Sequence, residues 1–125
     1  MTDPMLEALR AADEAARQAC HAYYATLGMT LDPVGPNVLY DQIGTLYGLL
    51  CKVEQIAGHL RDNARRLSHD PASLRSADDT DPGLHAAAAD SFLDEAADAA
   101  RDAARRVNAA WSEISPVGMS IVAAS

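Results

Sequence analysis

The sequence predicts an all-α protein, an antiparallel up-down-up three-helix bundle with two long helices and a shorter N-terminal helix. Small or apolar residues recur at alternating spacings of four and three over residues 38–69 and again over residues 84–115. This alternation is typical of long helices that pack against near-parallel neighbours. Two loops rich in proline, glycine and aspartate separate the helical stretches. We expect one domain over residues 1–115 and an apolar tail over residues 116–125.

The first helix is predicted over residues 4–27. Thr2 or Asp3 can cap it. Pro4 fits its first turn, because N–H groups there have no partner within the helix and proline, which lacks an N–H, loses no hydrogen bond. Gly28 marks its end, and two prolines in residues 29–37 prevent the helix from continuing. Its apolar side consists of short and long residues at helical spacing: Met5, Leu9, Ala12, Ala16, Ala19 and Tyr23.

The central helix is predicted over residues 38–69, with Asn37 as its cap. Its apolar seam keeps the four-three alternation throughout: Leu39, Ile43, Leu46, Leu50, Val53, Ala57, Leu60, Ala64 and Leu67. Leu49 and Ile56 widen the seam, which suits a core helix that contacts two neighbours. Gly44, Gly48 and Gly58 lie off the seam, where each costs roughly 1 kcal/mol against alanine. We expect them to let a neighbouring backbone come close, or to allow a bend near Gly44.

The third helix is predicted over residues 84–115, after a linker with four aspartates and two prolines at residues 70–83. Its seam is mostly alanine: Ala89, Leu93, Ala96, Ala100, Ala103, Val107, Ala110 and Ile114. In an antiparallel hairpin, pairing residues whose numbers sum to 153 places Leu50 opposite Ala103. Large side chains then mostly meet alanine, which allows close packing, so we expect this hairpin to be the stability core.

Composition disfavours several classes of function. The net charge of −8 argues against nucleic-acid binding, because phosphate neutralisation needs a basic face. No apolar run is long enough to cross a bilayer and the acidic first twenty residues do not resemble a signal peptide, so we expect a cytoplasmic protein without membrane attachment. Cys20 and Cys51 are expected to be reduced, mostly buried thiols, because their levels in the bundle differ by roughly 9 Å.

Five of the six aromatic residues are predicted to meet at one end of the bundle: Tyr23, Tyr24, Tyr40, Tyr47 and Trp111. Aromatic residues at helical spacing are most often core, so the simplest interpretation is a plug that closes the bundle. The functional interpretation is an apolar pocket or a partner-binding patch edged by Asn37, Asp41 and Gln42. A small-ligand sensor using this end is therefore one alternative function.

Acidic residues follow each other at helical spacing on the third helix: Asp90, Asp94, Asp98 and Asp102, with Glu95 adjacent. Because like charges four residues apart repel, we expect arginines to pair with part of this solvated row. The alternative is a Mg²⁺ or Mn²⁺ site held by the last three aspartates and Glu95.

Within this row, Glu95, Asp98 and Asp102 resemble one half of the paired acidic motifs of all-helical nucleotide pyrophosphohydrolases. This resemblance implies a divalent-metal-dependent phosphohydrolase. The second half of the pattern is missing, since the acidic residues of the central helix are widely spaced, at Asp41, Glu54 and Asp62.

No nucleophile motif, phosphate loop or zinc-binding pattern occurs in the sequence. We therefore predict a small acidic helical protein–protein interaction module that is non-enzymatic and needs no cofactor. The first helix is shorter than the other two, so part of the hairpin should lack a third partner. A homodimer could cover that surface by placing the same patch of two copies together. The sequence does not identify any other protein partner.

Overall fold

The computed structural model describes residues 3–26, 35–78 and 80–117. These residues form three α-helices and one short 3-10 helix, namely α1 (Pro4–Thr26), α2 (Pro36–Ser68), the 3-10 helix (Pro71–Ser73) and α3 (Pro82–Ile114). The described residues contain no strand. The predicted all-α class is confirmed, with two helices of 33 residues and a shorter first helix of 23. The apolar tail after Val117 lies outside the described residues.

The first and third helices begin at aspartate caps. The Asp3 carboxylate accepts hydrogen bonds from the backbone N–H groups of Met5 and Leu6 at 2.7 and 3.1 Å. The Asp81 carboxylate accepts one from the N–H of Gly83 at 2.8 Å. Each carboxylate thus satisfies N–H groups that have no partner within the helix.

The second helix begins differently from the prediction. Gly35 occupies its N-cap position without a side-chain hydrogen bond, and Pro36 takes the first turn. Asn37 lies inside the helix, so its predicted role as the cap is wrong. The fixed φ of Pro36 suits a first helical residue, and this favours a start earlier than Asn37.

The chain divides into two compact units, Met1–Pro33 and Val34–Ser125. In the first unit the described residues form α1, and its alanines Ala12, Ala16 and Ala19 are exposed. In the second unit α2 and α3 pack along each other as an antiparallel hairpin. The predicted hairpin is confirmed, whereas the placement of α1 on it and the single domain over residues 1–115 stay predictions.

Three ion pairs between the helices define the register of the hairpin. They are Arg65 to Asp90 at 3.0 Å, Arg61 to Asp94 at 2.9 Å and Arg101 to Glu54 at 2.8 Å. The two residue numbers sum to 155 in every pair, not to 153. The predicted register is therefore wrong by two residues.

The core of the hairpin consists of alanine. The buried apolar residues are Ala64, Ala97, Ala100 and Ala104. The predicted seam of α3 is wrong in one of its two rows. Ala89, Ala96 and Ala110 are exposed, so α3 is rotated about its axis relative to the prediction. Asp90 and Trp111 lie on the same helical row as Ala97 and Ala104, at spacings of seven. The ion pair of Asp90 and the packing of Trp111 hold this row against α2.

The predicted seam of α2 faces its neighbour only in part. Leu46 is 46% exposed and Val53 is 42% exposed. Leu50, on the other row of the seam, is half-buried. No described side chain is fully buried. The seam is thus a stripe of which one half packs on α3 and the other half remains open.

Candidate functional site

The open half of the α2 seam continues across the hairpin onto α3. We call this surface the apolar face. On α2 it comprises Leu39, Leu46, Leu49, Val53, Ile56, Leu60 and Leu67. On α3 it comprises Ala89, Phe92, Ala96, Ala99, Ala103 and Ala110. None of these side chains is charged.

Many large side chains of the apolar face are uncovered. The exposed ones are Leu39, Leu46, Leu49, Val53 and Leu67 on α2 and Phe92 on α3. Isolated exposed apolar residues are ordinary on protein surfaces. Larger contiguous apolar patches are less usual, and they occur at binding sites and on aggregation-prone surfaces.

The opposite edge of the hairpin is polar. On α3, Asp94 and Arg101 lie on one side of the buried alanine row, while Ala96 and Ala103 lie on the other. The three interhelical ion pairs therefore lie on the edge away from the apolar face. This two-sidedness follows from the helical period, since residues seven apart share a row.

The apolar face has a basic rim on α2 and an acidic rim on α3. Lys52, His59 and Arg66 are exposed along the outer side of α2. Glu95 and Asp102 are exposed along the outer side of α3. Arg106, which follows Phe92 and Ala99 on one helical row, interrupts this acidic edge where it pairs with Asp102 at 3.2 Å. The sequence alone does not identify these rims, because which charges border the face depends on the rotation of each helix.

At the end formed by the start of α2 and the end of α3, Trp111 packs over Gly44. Its ring centroid lies 5.2 Å from that of Tyr40 and 5.8 Å from that of Tyr47, in tilted arrangements. A Cβ at Gly44 would lie 2.7 Å from Trp111 Cζ2 and 2.9 Å from Cε2. The absence of a side chain at Gly44 therefore makes room for the indole.

The structure brings together three members of the predicted aromatic patch, Tyr40, Tyr47 and Trp111. Tyr24 on α1 is 65% exposed. The side chain of Tyr23 lies outside the described residues. The predicted edge residues Asn37, Asp41 and Gln42 are exposed along the first turns of α2.

The recess beside the aromatic residues is shallow. Its volume is about 330 Å³, and it is lined by Tyr40, Asn108, Trp111, Ser112 and Ser115. Trp111 Nε1 is itself buried and has no hydrogen-bond partner within the described part of the chain. A nearby hydrogen bond between the Cys51 thiol and the Tyr47 hydroxyl raises the pKa of the tyrosine.

Arginines neutralise much of the acidic row of α3. Besides the two pairs with α2, Asp98 lies 3.4 Å from Arg101 and Asp102 lies 3.2 Å from Arg106. Among the described residues, no three histidine, cysteine, aspartate or glutamate side chains are grouped so that they could hold a metal ion. All four predicted metal ligands, Asp94, Glu95, Asp98 and Asp102, belong to this described part, and they form no shared coordination site.

A second polar cluster precedes α3. The Asp78 carboxylate accepts hydrogen bonds from the hydroxyl groups of Ser76 and Thr80, and His85 Nε2 lies 3.5 Å from it. These hydrogen bonds, with that of Ser76 the largest influence, hold the pKa of Asp78 well below its usual range. All of these groups except Ser76 are exposed. The cluster links Asp78 to His85 in the first turns of α3.

Both cysteines are free thiols, as predicted. Cys51 is half-buried, but Cys20 is exposed, so the expectation that both are mostly buried is wrong for Cys20. In the described residues no helix is apolar over a length that could cross a membrane. Comparison of the chain with protein-family models, with curated proteins and with solved structures gave no match.

Proposed function

We propose that this protein is a non-enzymatic protein–protein interaction module that self-associates through the apolar face. The observation that carries the proposal is the distribution of apolar residues between core and surface. The buried core of the hairpin is alanine, whereas leucines and a valine of α2 are exposed. A homodimer would cover the exposed parts of these larger side chains. Full burial of such a side chain contributes about 1.5 to 3 kcal/mol, and since about half of each is already covered, dimer formation would add roughly half of that for each.

The size of the apolar face also supports self-association. A helix of 33 residues is about 50 Å long at 1.5 Å per residue. Two helices with axes about 8 to 10 Å apart, each about 10 Å in diameter, present a side about 18 Å wide and roughly 900 Å² in projected area. A specific interface of standard size buries about 800 Å² on each partner. The apolar face is therefore large enough for a stable dimer.

The character of the other surfaces favours binding over catalysis. The recess beside Trp111 is lined by neutral side chains, and the acidic row is engaged with arginines. A cytoplasmic location is part of the proposal, because two free thiols suit a reducing compartment. The partner in this proposal is a second copy of the chain.

Sedimentation equilibrium at micromolar concentrations tests the proposal. The wild-type protein should sediment as a dimer of the 13.2 kDa chain. The double variant Leu46→Glu with Val53→Glu should shift it to the monomer, because two charges would be buried in an apolar contact.

Leu84→Glu is the matched control. Leu84 is 69% exposed and lies off the apolar face, so this variant should remain a dimer. A wild-type mass near one chain at every concentration would refute the proposal. Equal effects of the double variant and the control would place the interface elsewhere. Far-UV circular dichroism should show that both variants keep their helices.

A further inference from the structure

We infer that two copies of the hairpin form a four-helix bundle in which α2 of each copy packs beside α3 of the other, with Lys52 and His59 facing Asp102 and Glu95 of the second copy. This inference rests on the proposed function, because it specifies the arrangement of the self-associated protein. Two independent features of the apolar face, the sizes of its side chains and the charges of its rims, favour this arrangement.

The level of each residue in such a bundle follows from the register of the hairpin. A two-fold axis parallel to the helices leaves every residue at its own height. Within one hairpin, residues of α2 and α3 whose numbers sum to 155 are level, as Arg61 and Asp94 are. The same rule therefore gives the residue of the second copy's α3 that is level with a residue of α2. The two helices in contact run antiparallel, as they do within one hairpin.

Side-chain sizes are complementary in this arrangement. The large row of α2 on the apolar face comprises Leu46, Val53, Leu60 and Leu67. On α3 of the second copy, an alanine lies one residue from the level of each of these side chains, in the same order: Ala110, Ala103, Ala96 and Ala89. Large residues of each copy thus meet alanines of the other, which permits dense packing. Packing α2 beside α2 would set the large rows against each other and leave the alanine rows apart.

The charges of the rims are complementary in the same arrangement. Lys52 is level with position 103 of the second copy, one residue from Asp102, and His59 is level with position 96, one residue from Glu95. All four side chains are exposed and lie at the edges of the apolar face. Placing α2 beside α2 would instead bring the two basic rims together, and like charges across an interface oppose association.

Two of these rim groups form no ion pair among the residues that the structure describes. Neither Lys52 nor Glu95 forms an ion pair with another residue in the described part of the chain. Asp102 uses one carboxylate oxygen for Arg106, which leaves the other oxygen available. His59 lies 3.4 Å from the Asn63 amide and is otherwise at the surface.

A charge-reversal experiment in the full chain tests the arrangement. Lys52→Glu alone should weaken the dimer, because the introduced glutamate of each chain would face Asp102 of the other chain and be repelled by it. Asp102→Lys alone should weaken it likewise, since two lysines then face each other. We expect the Kd of each variant to rise about tenfold, because each dimer contains two such contacts at an exposed rim.

Mixing the two variants should restore the dimer. In the mixed dimer, the glutamate introduced at position 52 of one chain faces the lysine introduced at position 102 of the other. The remaining contact is the natural pair of Lys52 and Asp102. Native mass spectrometry should therefore find the mixed dimer well above its statistical proportion. An ion pair within one chain could not produce this result.

Asp98→Lys is the matched control for Asp102→Lys. It makes the same change of charge one turn away, on the side of α3 that bears the ion pairs. It should leave the Kd near that of the wild type, and mixing it with Lys52→Glu should not enrich the mixed dimer.

The outcomes separate this inference from the proposed function. If the protein forms a dimer whose Kd is unchanged by Lys52→Glu and Asp102→Lys, the arrangement is wrong, but self-association is not contradicted. A mixed dimer at the statistical proportion has the same consequence. A monomer at all concentrations, as expected if α1 covers the apolar face within one chain, overturns both.

Discussion

Gly44→Ala should destabilise the protein, although glycine to alanine usually stabilises a helix. In a helix interior the exchange gains about 1 kcal/mol. At Gly44 the new methyl group would lie 2.7 Å from Trp111 Cζ2, 2.9 Å from Cε2 and 3.2 Å from Nε1. The indole would have to move by roughly 0.8 Å, and overpacking of this kind costs about 1 to 3 kcal/mol. The gain and the cost together give a net loss of up to about 2 kcal/mol, measured by urea denaturation.

Gly48→Ala provides the control one turn further along α2. A Cβ at Gly48 would have nothing within 4 Å, so this variant should gain up to about 1 kcal/mol. In a Trp111→Phe background, which removes Cζ2 and Nε1, Gly44→Ala should also become stabilising. If Gly44→Ala and Gly48→Ala raise the free energy of unfolding equally in the natural chain, Trp111 does not pack on Gly44 and the reasoning fails.

Two further predictions concern the approach to α3. Asp81→Ala removes the carboxylate that caps Gly83 and should lower the free energy of unfolding by about 1 kcal/mol in urea, whereas Asp81→Asn should recover most of it. Because the pKa of Asp78 is lower in the folded state than the usual value of about 3.9, its hydrogen bonds stabilise the fold fully above that pH. This stabilisation is lost progressively as the pH falls below it toward the lowered folded-state pKa. Thermal melts from pH 7 to pH 3 should therefore fall less steeply for Asp78→Asn than for the natural chain, and identical slopes would contradict this.

The helix boundaries could be predicted because their signals are local. Pro4, Pro36 and Pro82 each begin a helix, and the predicted starts and ends lie within two residues of the observed ones. A proline in the first turn and an aspartate before it act on neighbouring backbone groups alone. Such signals do not depend on how the helices pack.

The rotation of α3 could not be predicted, because alanines occur in adjacent pairs along it. Ala96 and Ala97, and likewise Ala103 and Ala104, offer two nearly equivalent rows of small residues. Periodicity identifies the stripe that both rows form, but it does not decide which row faces α2. Trp111 breaks the equivalence, because it lies on the row of Ala97 and Ala104 and needs the space at Gly44.

The candidate site could be predicted only in outline, because periodicity identifies the apolar stripe of α2 but not which part of it packs on α3. The apolar seam of α2 is evident from the sequence, and its greater width, due to Leu49 and Ile56, indicates two neighbours. Pairing the whole seam with α3 is wrong, since only one half packs there and Leu46 and Val53 remain exposed. Tyr40, Tyr47 and Trp111 lie together because the hairpin brings the start of α2 to the end of α3. Their role as a ligand or partner patch stays a prediction. The α1 members of the aromatic patch, Tyr23 and Tyr24, belong to the other unit, and their place in the patch stays a prediction.

If the apolar face supplies the larger side chains that the alanine core lacks, folding of the hairpin is linked to dimer formation. Stability then depends on protein concentration by mass action. A tenfold rise in concentration changes the free energy by about 1.4 kcal/mol per dimer, which should raise the Tm by roughly 3 to 6 °C for chains of this size. Thermal melts across a hundredfold range of concentration measure this directly. The variant Leu46→Glu with Val53→Glu should melt at a low temperature that does not change with concentration. A wild-type Tm equally independent of concentration, in samples shown to be dimeric, would mean that the hairpin folds without its partner.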